Sequence, residues 1–445
     1  MIRRCLLLVT FFTFLYDTDC YAVDLMDIFP VDQMQDQVSL DLQVGERNAY
    51  SSTQEPGRTL QRMQIQFTSF EWAGETWRHR AELLLPDRSP DIYRGTAAII
   101  SGGNKAHQKM AEATALMGIP VLRIVGANPG PHYGVKQEGN LMGYGQKQYY
   151  ETSDPRWIGY AWLGKIIVRA VTAAQALPEI QAERFVVTGC SKRGAASWIA
   201  AAADDRIIGA YPTCWNAGNG QEFIQLKAER WGLDYQPRSD GNTMAPAFIT
   251  TQQQMEISKH PMADSYASFV DPYRYGNLLR GKKILYAAGT NDPLFPPVSG
   301  TVFLPHMSAN IRSLLVPNAG HTMDTDRHLN AWRMWLAHCF AGRGVPDILV
   351  DANRQGNNAV VTATVKTRTH ITAVRIWSAT DPKGAYLKTK WQSTAMEKVG
   401  DGQFRATLAA PQNDYLGYFV EVVDRDPKTV SGTITSGFNE LKPEM

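Results

Sequence analysis

A strand-to-helix turn around Ser191 is the feature that most constrains this chain. The apolar, β-prone run 185–188 stops at Gly189 and leads through Ser191 into the alanine-rich segment 194–203. A sharp turn of this kind can present a nucleophilic serine, because small neighbours relieve crowding and the new helix offers backbone N–H groups to an oxyanion. The usual pattern has glycine two residues after the serine, whereas here Arg193 takes that position. Since a serine before a helix is often an N-cap, the turn predicts either a nucleophile or a cap.

Two further side chains follow predicted strands downstream. The apolar run 283–289 leads directly to Asp292, and the run 313–317 leads to His321. Ser191, Asp292 and His321 occur in the chain order of the α/β-hydrolase triad, each where the functional loops of an open parallel sheet lie. Taken singly, Asp292 can be a turn former before proline and His321 an ordinary loop histidine. Their joint occurrence in this order favours a catalytic triad.

The spacing of strand and helix signals predicts the domain organisation. Alternating signals over residues 60–343 indicate a mostly parallel sheet flanked by helices, an α/β-hydrolase-like fold within a catalytic domain at 23–344. Residues 215–275 interrupt this alternation. The insertion is either a cap over the site, where substrate choice would lie, or a helical segment that only covers apolar surface.

Beyond residue 344 the pattern changes to short alternating runs. Such runs are typical of half-buried antiparallel strands, and they predict a C-terminal all-β sandwich of the immunoglobulin or fibronectin type at 346–445. That domain would bind a partner or stabilise the catalytic domain.

The N-terminus predicts export. Arg3 and Arg4 precede the apolar run 5–16 and a small-x-small ending at 20–22, so residues 1–22 resemble a signal peptide. We expect a periplasmic or extracellular protein without a transmembrane segment, since no later run approaches the roughly twenty apolar residues that a span needs. The net charge of +2, with acidic and basic residues interspersed, excludes a nucleic-acid partner.

The cysteines left after signal removal are Cys190, Cys214 and Cys339, an odd number. Cys190 and Cys214 are the better candidates for pairing, because both follow strands that should be neighbours. A bridge and two buried free thiols both remain open at this point, since a disulfide requires a narrow geometry. No Cys/His spacing resembles a zinc site, so no metal and no cofactor are expected.

Several further motifs accompany the proposed triad: the aromatic segment 67–72 with 77–80, the Ile-Ser-Gly-Gly-Asn run 100–104, the elbow 185–194, the Asp-Pro-Tyr turn 271–273, the Asp292 loop, and Pro-Asn-Ala-Gly-His at 317–321. Together these motifs resemble the PhoPQ-activated pathogenicity-related protein family, which also includes the autocrine proliferation repressors of amoebae. The chain departs from the family at Ala195, where tryptophan is usual, and in the loop 291–295, where an acidic, Phe-rich loop is common. The resemblance implies an α/β-hydrolase fold with a serine nucleophile, and a link to virulence regulation or resistance to host peptides.

The predicted activity is that of a secreted serine hydrolase that cleaves an ester or peptide bond through an acyl-enzyme. His321 would take the proton of Ser191 and Asp292 would orient the imidazole. The predicted oxyanion donors are backbone N–H groups of Lys192 and of the loop at Gly103 and Asn104. The predicted substrate-binding residues are Arg193 and Trp215.

Lys192 and Arg193 add an expectation about the substrate. Cations in the first turn of a helix oppose its dipole, so they predict an anionic group on a small-molecule or peptide substrate, as in peptides or uronate esters. Alternatively, they pair with an acid such as Asp204 or Asp205. Two other functions stay open: a carbohydrate (uronate) esterase, because the Gly-Cys-Ser-basic-x-Gly elbow is similar to that of glucuronoyl esterases, and a catalytically silent binding or signalling protein.

Overall fold

The structure, a computed structural model, describes residues 25–72, 74–126, 132–135, 138–237, 250–307 and 310–444. The strands are β1 (Gln43–Val44), β2 (Asn48–Ser51), β3 (Thr59–Trp72), β4 (Glu75–Leu85), β5 (Thr96–Ser101), β6 (Val121–Ile124), β7 (Arg184–Cys190), β8 (Ile207–Thr213), β9 (Lys283–Gly289), β10 (Asn310–Val316), β11 (Asp347–Gln355), β12 (Asn358–Lys366), β13 (His370–Asp381), β14 (Gln392–Ala395), β15 (Glu397–Gly400), β16 (Gln403–Ala409), β17 (Tyr415–Arg425), β18 (Ser431–Thr435) and β19 (Asn439–Leu441).

The α-helices are α1 (Val31–Gln35), α2 (Lys105–Leu116), α3 (Glu138–Thr152), α4 (Gly159–Ala176), α5 (Lys192–Ala203), α6 (Gly220–Trp231), α7 (Thr251–Ser258), α8 (Ala263–Val270) and α9 (Asp326–Ala341). Short 3₁₀ turns lie at Leu25–Ile28, Val38–Leu40, Asp91–Tyr93, Pro155–Trp157, Gly276–Leu279, Pro297–Val302 and Leu304–His306.

A parallel sheet forms the centre of the molecule. Its strands lie in the order β6, β5, β7, β8, β9, β10, and each neighbouring pair is parallel. The antiparallel strands β4, β3 and β1 extend the sheet beyond β6. The prediction was a mostly parallel sheet flanked by helices; the structure has a mixed sheet with helices, in which the parallel strands form the centre.

Helices cover both faces of this sheet, because its apolar strands must be shielded from water on each side. Every residue of β5 is buried, and a strand buried on both faces needs an apolar neighbour on each side. Side chains of α4 and α5, including Ile166 and Ile199, form one core layer. Side chains of α2 and α9, including Met110 and Trp332, form the other layer. The carboxyl ends of the parallel strands consequently meet at one edge, where loops can place functional groups.

The C-terminal strands continue the central sheet at its other side. β18 pairs antiparallel with β10 at Thr435 and Ser313, and β17, β13 and β14 follow it in order. The hydroxyl of Thr435 donates to the Ser313 carbonyl at 3.2 Å and accepts from the N–H of Leu315 at 2.9 Å. This side chain replaces part of the ladder where the two strands meet.

The antiparallel character predicted for the tail is confirmed. Part of the tail, however, continues the central sheet and does not form a separate sandwich sheet, unlike the expectation from the sequence. A four-stranded antiparallel sheet, in the order β11, β12, β16, β15, forms the second layer. Its residues Val361 and Phe404 share a core with Ile376 and Val420 of the first layer. The boundary near residue 345 and the immunoglobulin or fibronectin type stay predictions.

The insertion at 215–275 contains α6, α7 and α8, with residues 238–249 outside the described part. Helix α6 reaches the C-terminal strands, since Arg230 forms an ion pair with Glu440 at 2.7 Å and the indole of Trp231 donates to the Ala385 carbonyl at 3.1 Å. The predicted signal peptide, 1–22, also lies outside the described residues. Among the described helices, none has the length and apolar character that crossing a membrane requires.

A fully buried ion pair joins the end of α9 to β17, and we expect it to matter for stability. Arg343 donates to Asp424 at 2.6 Å, and neither side chain is exposed. Asp424→Ala would leave a buried guanidinium unpaired, so the free energy of unfolding should fall by about 3–5 kcal/mol, measured by urea denaturation. Asp91→Ala, which breaks the exposed pair with Arg94, is the matched control and should leave the urea midpoint unchanged. Equal midpoints for both variants would contradict the prediction.

Candidate active site

Ser191 occupies a strained turn between β7 and α5. Its backbone has φ 60° and ψ −126°, a region that residues with a side chain rarely adopt. Its N–H donates to the Thr213 carbonyl at 2.9 Å. Although Ser191 precedes the helix, its hydroxyl makes no capping hydrogen bond. The geometry thus has the strained strand-to-helix form of a nucleophile turn, and the side chain is not used as a cap.

Two glycines allow the close approach of backbone that this turn needs. A Cβ on Gly189 would lie 2.6 Å from the carbonyl oxygen and 2.7 Å from the Cβ of Arg193. A Cβ on Gly194 would lie 2.5 Å from the Thr213 carbonyl oxygen. The contact with β8 therefore requires glycine at 194, one position later than in the usual pattern. Arg193 fits next to it because residue 189 has no side chain.

Asp292 and His321 are in direct contact. The Asp292 carboxylate is buried, and its Oδ2 lies 2.8 Å from Nδ1 of His321. Its Oδ1 accepts from the N–H of Leu294 at 2.8 Å, which fixes the orientation of the carboxylate. A Cβ on Gly289 would lie 2.4 Å from the carbonyl oxygens of 319 and 320. Glycine at the end of β9 thus lets the loop before His321 lie close to Asp292.

The residue before Ser191 also touches the histidine. Sγ of Cys190 lies 3.6 Å from the His321 carbonyl oxygen, and Sγ of Cys214 lies 2.6 Å from the same atom. The ring of Phe295 stacks on the imidazole, with centroids 6.1 Å apart. The structure therefore brings the three predicted triad residues to one edge of the sheet, at the ends of β7, β9 and β10.

The predicted oxyanion residues lie at the same edge. Gly103 and Asn104 follow β5, the strand beside β7, and Lys192 begins α5. A Cβ on Gly103 would lie 2.6 Å from the Val125 carbonyl oxygen, so only glycine fits there. The side chain of Asn104 accepts from the N–H of His107 at 2.9 Å and caps α2. The role of these backbone N–H groups stays a prediction.

Lys192 and Arg193 share one carboxylate. Nζ of Lys192 lies 3.0 Å from Oε1 of Glu138, and Nη2 of Arg193 lies 2.9 Å from its Oε2. Pairing with an acid was the alternative expected from the sequence, but the acids expected there, Asp204 and Asp205, are wrong, because Asp204 pairs with Arg206 and Asp205 with Lys282. Glu138 begins α3, and no spacing in the sequence connects it with the elbow.

Trp215 belongs to an aromatic wall beside the imidazole. Its ring lies 5.1 Å from that of Tyr160 and 5.5 Å from that of Phe295. Phe223 of α6 lies 5.8 Å from Phe295, so the insertion contributes to this wall. The indole N–H of Trp215 is buried and has no hydrogen-bond partner among the described residues. Phe295 was overlooked as a site residue, although it stands three positions after Asp292.

The cysteines near the site are free thiols, as is Cys339. A hydrogen bond from Cys214 lowers the pKa of Cys190 to about 7, and burial raises the pKa of Cys214. Ligand atoms of Cys214, Asp292 and His321 lie within 4.8 Å of one another.

Comparison with known proteins gives one family and one curated relative. The family model described as PhoPQ-activated pathogenicity-related protein matches residues 44–386. The autocrine proliferation repressor protein A of Dictyostelium discoideum is 26% identical over 293 residues, which cover 58% of this chain and 55% of the relative. The chain therefore spans about half the length of that relative.

Two solved esterase structures are among those similar to this chain. An acetyl xylan esterase from Paenibacillus is 17% identical with a TM-score of 0.46, covering 67% of this chain and 88% of the esterase. A glucuronoyl esterase from Teredinibacter turnerae is 12% identical with a TM-score of 0.42, covering 68% of this chain and 78% of the esterase.

We expect Gly189→Ala to destabilise the elbow. The added Cβ would overlap the backbone of Arg193, and overpacking of this kind costs about 1–3 kcal/mol. The measurement is the urea midpoint. Gly143→Ala is the matched control, because a Cβ there meets no atom within 4 Å and the position is helical. An unchanged midpoint for Gly189→Ala would contradict the prediction, because it would mean that the turn accommodates a Cβ at position 189.

Proposed function

Since the chain belongs to the PhoPQ-activated pathogenicity-related protein family, we propose that it is an exported serine hydrolase that cleaves an ester or peptide bond. The observation that carries this proposal is the contact between buried Asp292 and His321 beside the strained turn of Ser191. A strained serine without a capping role and a histidine held by a buried carboxylate are the parts of a nucleophile and its base.

The reaction follows from these positions. With Nδ1 of His321 bound to Asp292 at 2.8 Å, Nε2 takes the proton of Ser191 as the hydroxyl oxygen attacks the substrate carbonyl. The carboxylate stabilises the imidazolium, which then protonates the leaving group. Water attacks the acyl-enzyme in a second step, and the same histidine removes its proton.

The developing oxyanion is proposed to bind the backbone N–H of Lys192 and an N–H of the loop at Gly103 and Asn104. These groups lie at the edge of the sheet that carries Ser191. They are fixed by the start of α5 and by the cap of α2, so they need little reorganisation during the reaction. Loss of one such donor typically lowers turnover by about a hundredfold or more.

The charges around the elbow favour a substrate that bears a carboxylate. Among the described residues, the acid that forms ion pairs with Lys192 and Arg193 is Glu138, so these three side chains keep one net positive charge. The aromatic wall of Trp215 and Phe295 offers an apolar surface next to the base. A small molecule or peptide with an acidic group fits both features. A uronate ester is the second candidate, supported by the order of residues in the elbow.

Export to the periplasm or the cell exterior and a role in virulence or resistance to host peptides are part of the proposal. The N-terminal sequence supports export, and the family description supports the link to pathogenicity. A catalytically silent binding protein is the alternative from another class.

A fluorophosphonate probe tests the proposed nucleophile. The mature protein should be labelled at Ser191, as identified by mass spectrometry, and Ser191→Ala should abolish labelling. His321→Ala should reduce the labelling rate by at least about a hundredfold, because the base is lost. His370→Ala, which changes an exposed histidine at the start of β13, is the matched control and should label at the normal rate. Absence of labelling in the folded protein would favour the silent binding protein.

Glu138→Gln tests the proposed charge preference. Removal of this carboxylate leaves Lys192 and Arg193 without their shared partner, so hydrolysis of an acidic ester should rise relative to a neutral one by roughly three- to tenfold. The measurement is the ratio of kcat/KM for 4-nitrophenyl hemisuccinate and 4-nitrophenyl butyrate. Glu151→Gln, at the far end of the same helix, should leave that ratio unchanged. An unaltered ratio in Glu138→Gln would count against the carboxylate preference.

A further inference from the structure

Two thiols stand side by side behind the proposed catalytic base. Cys190 ends β7 and Cys214 follows β8, and these strands are parallel neighbours in which Cys190 lies opposite Thr213. Both are free thiols. The family resemblance and the proposed triad assign no role to either of them.

Both sulfurs meet at the main chain of the histidine. The thiol of Cys214 donates to the His321 carbonyl at 2.6 Å, and that of Cys190 lies 3.6 Å from the same oxygen. The two sulfurs also interact with each other, so the single S–H of Cys214 has two acceptors within reach, the His321 carbonyl oxygen and Sγ of Cys190. In the reduced protein Cys214 thus contacts the main chain of His321, and the two sulfurs share one small volume.

The surroundings divide the two thiols into a nucleophile and a partner. The hydrogen bond from Cys214, with a smaller contribution from nearby His321, lowers the pKa of Cys190 to about 7. Burial raises the pKa of Cys214, and neighbouring Asp292 acts in the same direction. Cys190 is thus the thiol of the pair that ionises more readily, and the thiolate is the form that attacks a disulfide. By contrast, burial raises the pKa of Cys339 to about 12.

We propose that Cys190 and Cys214 are a reversible disulfide site that takes a small-molecule disulfide as its oxidant and, once bridged, slows the reaction at Ser191. The effect on activity rests on the proposed function of the triad, whereas formation of the bridge does not. The observation that supports the proposal is that the sulfurs of Cys190 and Cys214 both lie next to the main-chain carbonyl oxygen of His321, the proposed base.

The chemistry is two successive thiol–disulfide exchanges. The Cys190 thiolate attacks one sulfur of the external disulfide, so that a mixed disulfide forms and one thiolate leaves. The thiol of Cys214 then gives its proton to that thiolate, attacks Sγ of Cys190 and expels the second thiolate. The protein loses two electrons in total, and the external disulfide gains them as two reduced thiols.

Formation of the disulfide removes a hydrogen bond to the main chain of His321, the proposed base. Bridged sulfurs carry no S–H, so the His321 carbonyl loses the hydrogen-bond donor of Cys214. The imidazole would then lose part of its alignment with the serine. Since a misplacement of about 1 Å can cost on the order of a hundredfold in rate, we expect the bridged form to react at least about tenfold more slowly.

The test compares reduced and oxidised mature protein in the presence of a chelator, which prevents metal capture from imitating the effect. Oxidised glutathione should remove two alkylatable thiols and give a crosslinked peptide that contains Cys190 and Cys214. The rate of fluorophosphonate labelling at Ser191 should fall at least about tenfold. Dithiothreitol should restore both the thiols and the rate.

Two variants separate the switch from a purely structural role. Cys190→Ser cannot form the bridge and lacks the thiolate that starts the exchange, while Cys214 keeps its S–H donor to the His321 carbonyl. Its labelling rate, expressed relative to its own reduced state, should not change with oxidised glutathione. Cys339→Ser, which alters a buried thiol in α9, is the matched control and should keep the full response of the unaltered protein.

The outcomes distinguish this proposal from the proposed hydrolase. An unchanged thiol count, or a bridged protein that labels as fast as the reduced one, would overturn the switch and leave the hydrolase intact. A folded, reduced protein that is not labelled at all would overturn the hydrolase and the switch together, while the thiol count would still show whether the bridge forms.

Discussion

The close packing of backbone at the carboxyl edge of the sheet is the constraint on which the site depends. Gly189, Gly194 and Gly289 each occupy a place where a Cβ would lie within 2.7 Å of a neighbouring backbone atom. Because these approaches are allowed, the turn of Ser191 and the loop before His321 can both rest on the ends of the strands. The proposed nucleophile and base are thus positioned by main-chain contacts, and the aromatic wall and the charged side chains are arranged around them.

Much of the central fold could be predicted from the sequence, because buried parallel strands such as β5 and β7 are continuous apolar runs. The same rule located Asp292 and His321, since each residue follows such a run and strand ends share one edge. The glycines of the elbow could also be recognised in the sequence. Why glycine is required at 194 became clear only from its short distance to the Thr213 carbonyl oxygen in the structure.

Other features depend on contacts between distant parts of the chain, which leave no local pattern. Glu138 pairs with Lys192 and Arg193 across more than fifty positions, and a single acid near a helix start is common. The junction of β10 and β18 rests on one residue pair, Ser313 and Thr435, and an alternating strand looks the same whether it closes a separate sandwich or extends a neighbouring sheet.

The junction of β10 with β18 also has a consequence for any shortened form of the protein. β10 precedes the loop of His321, and on its outer side it meets only C-terminal strands. Removal of residues 346–445 would turn it into an open edge with unsatisfied N–H and C=O groups, which invites association between molecules. The C-terminal strands therefore protect the protein from aggregation through the edge of its central sheet, and a chain shortened in this way would be prone to aggregate.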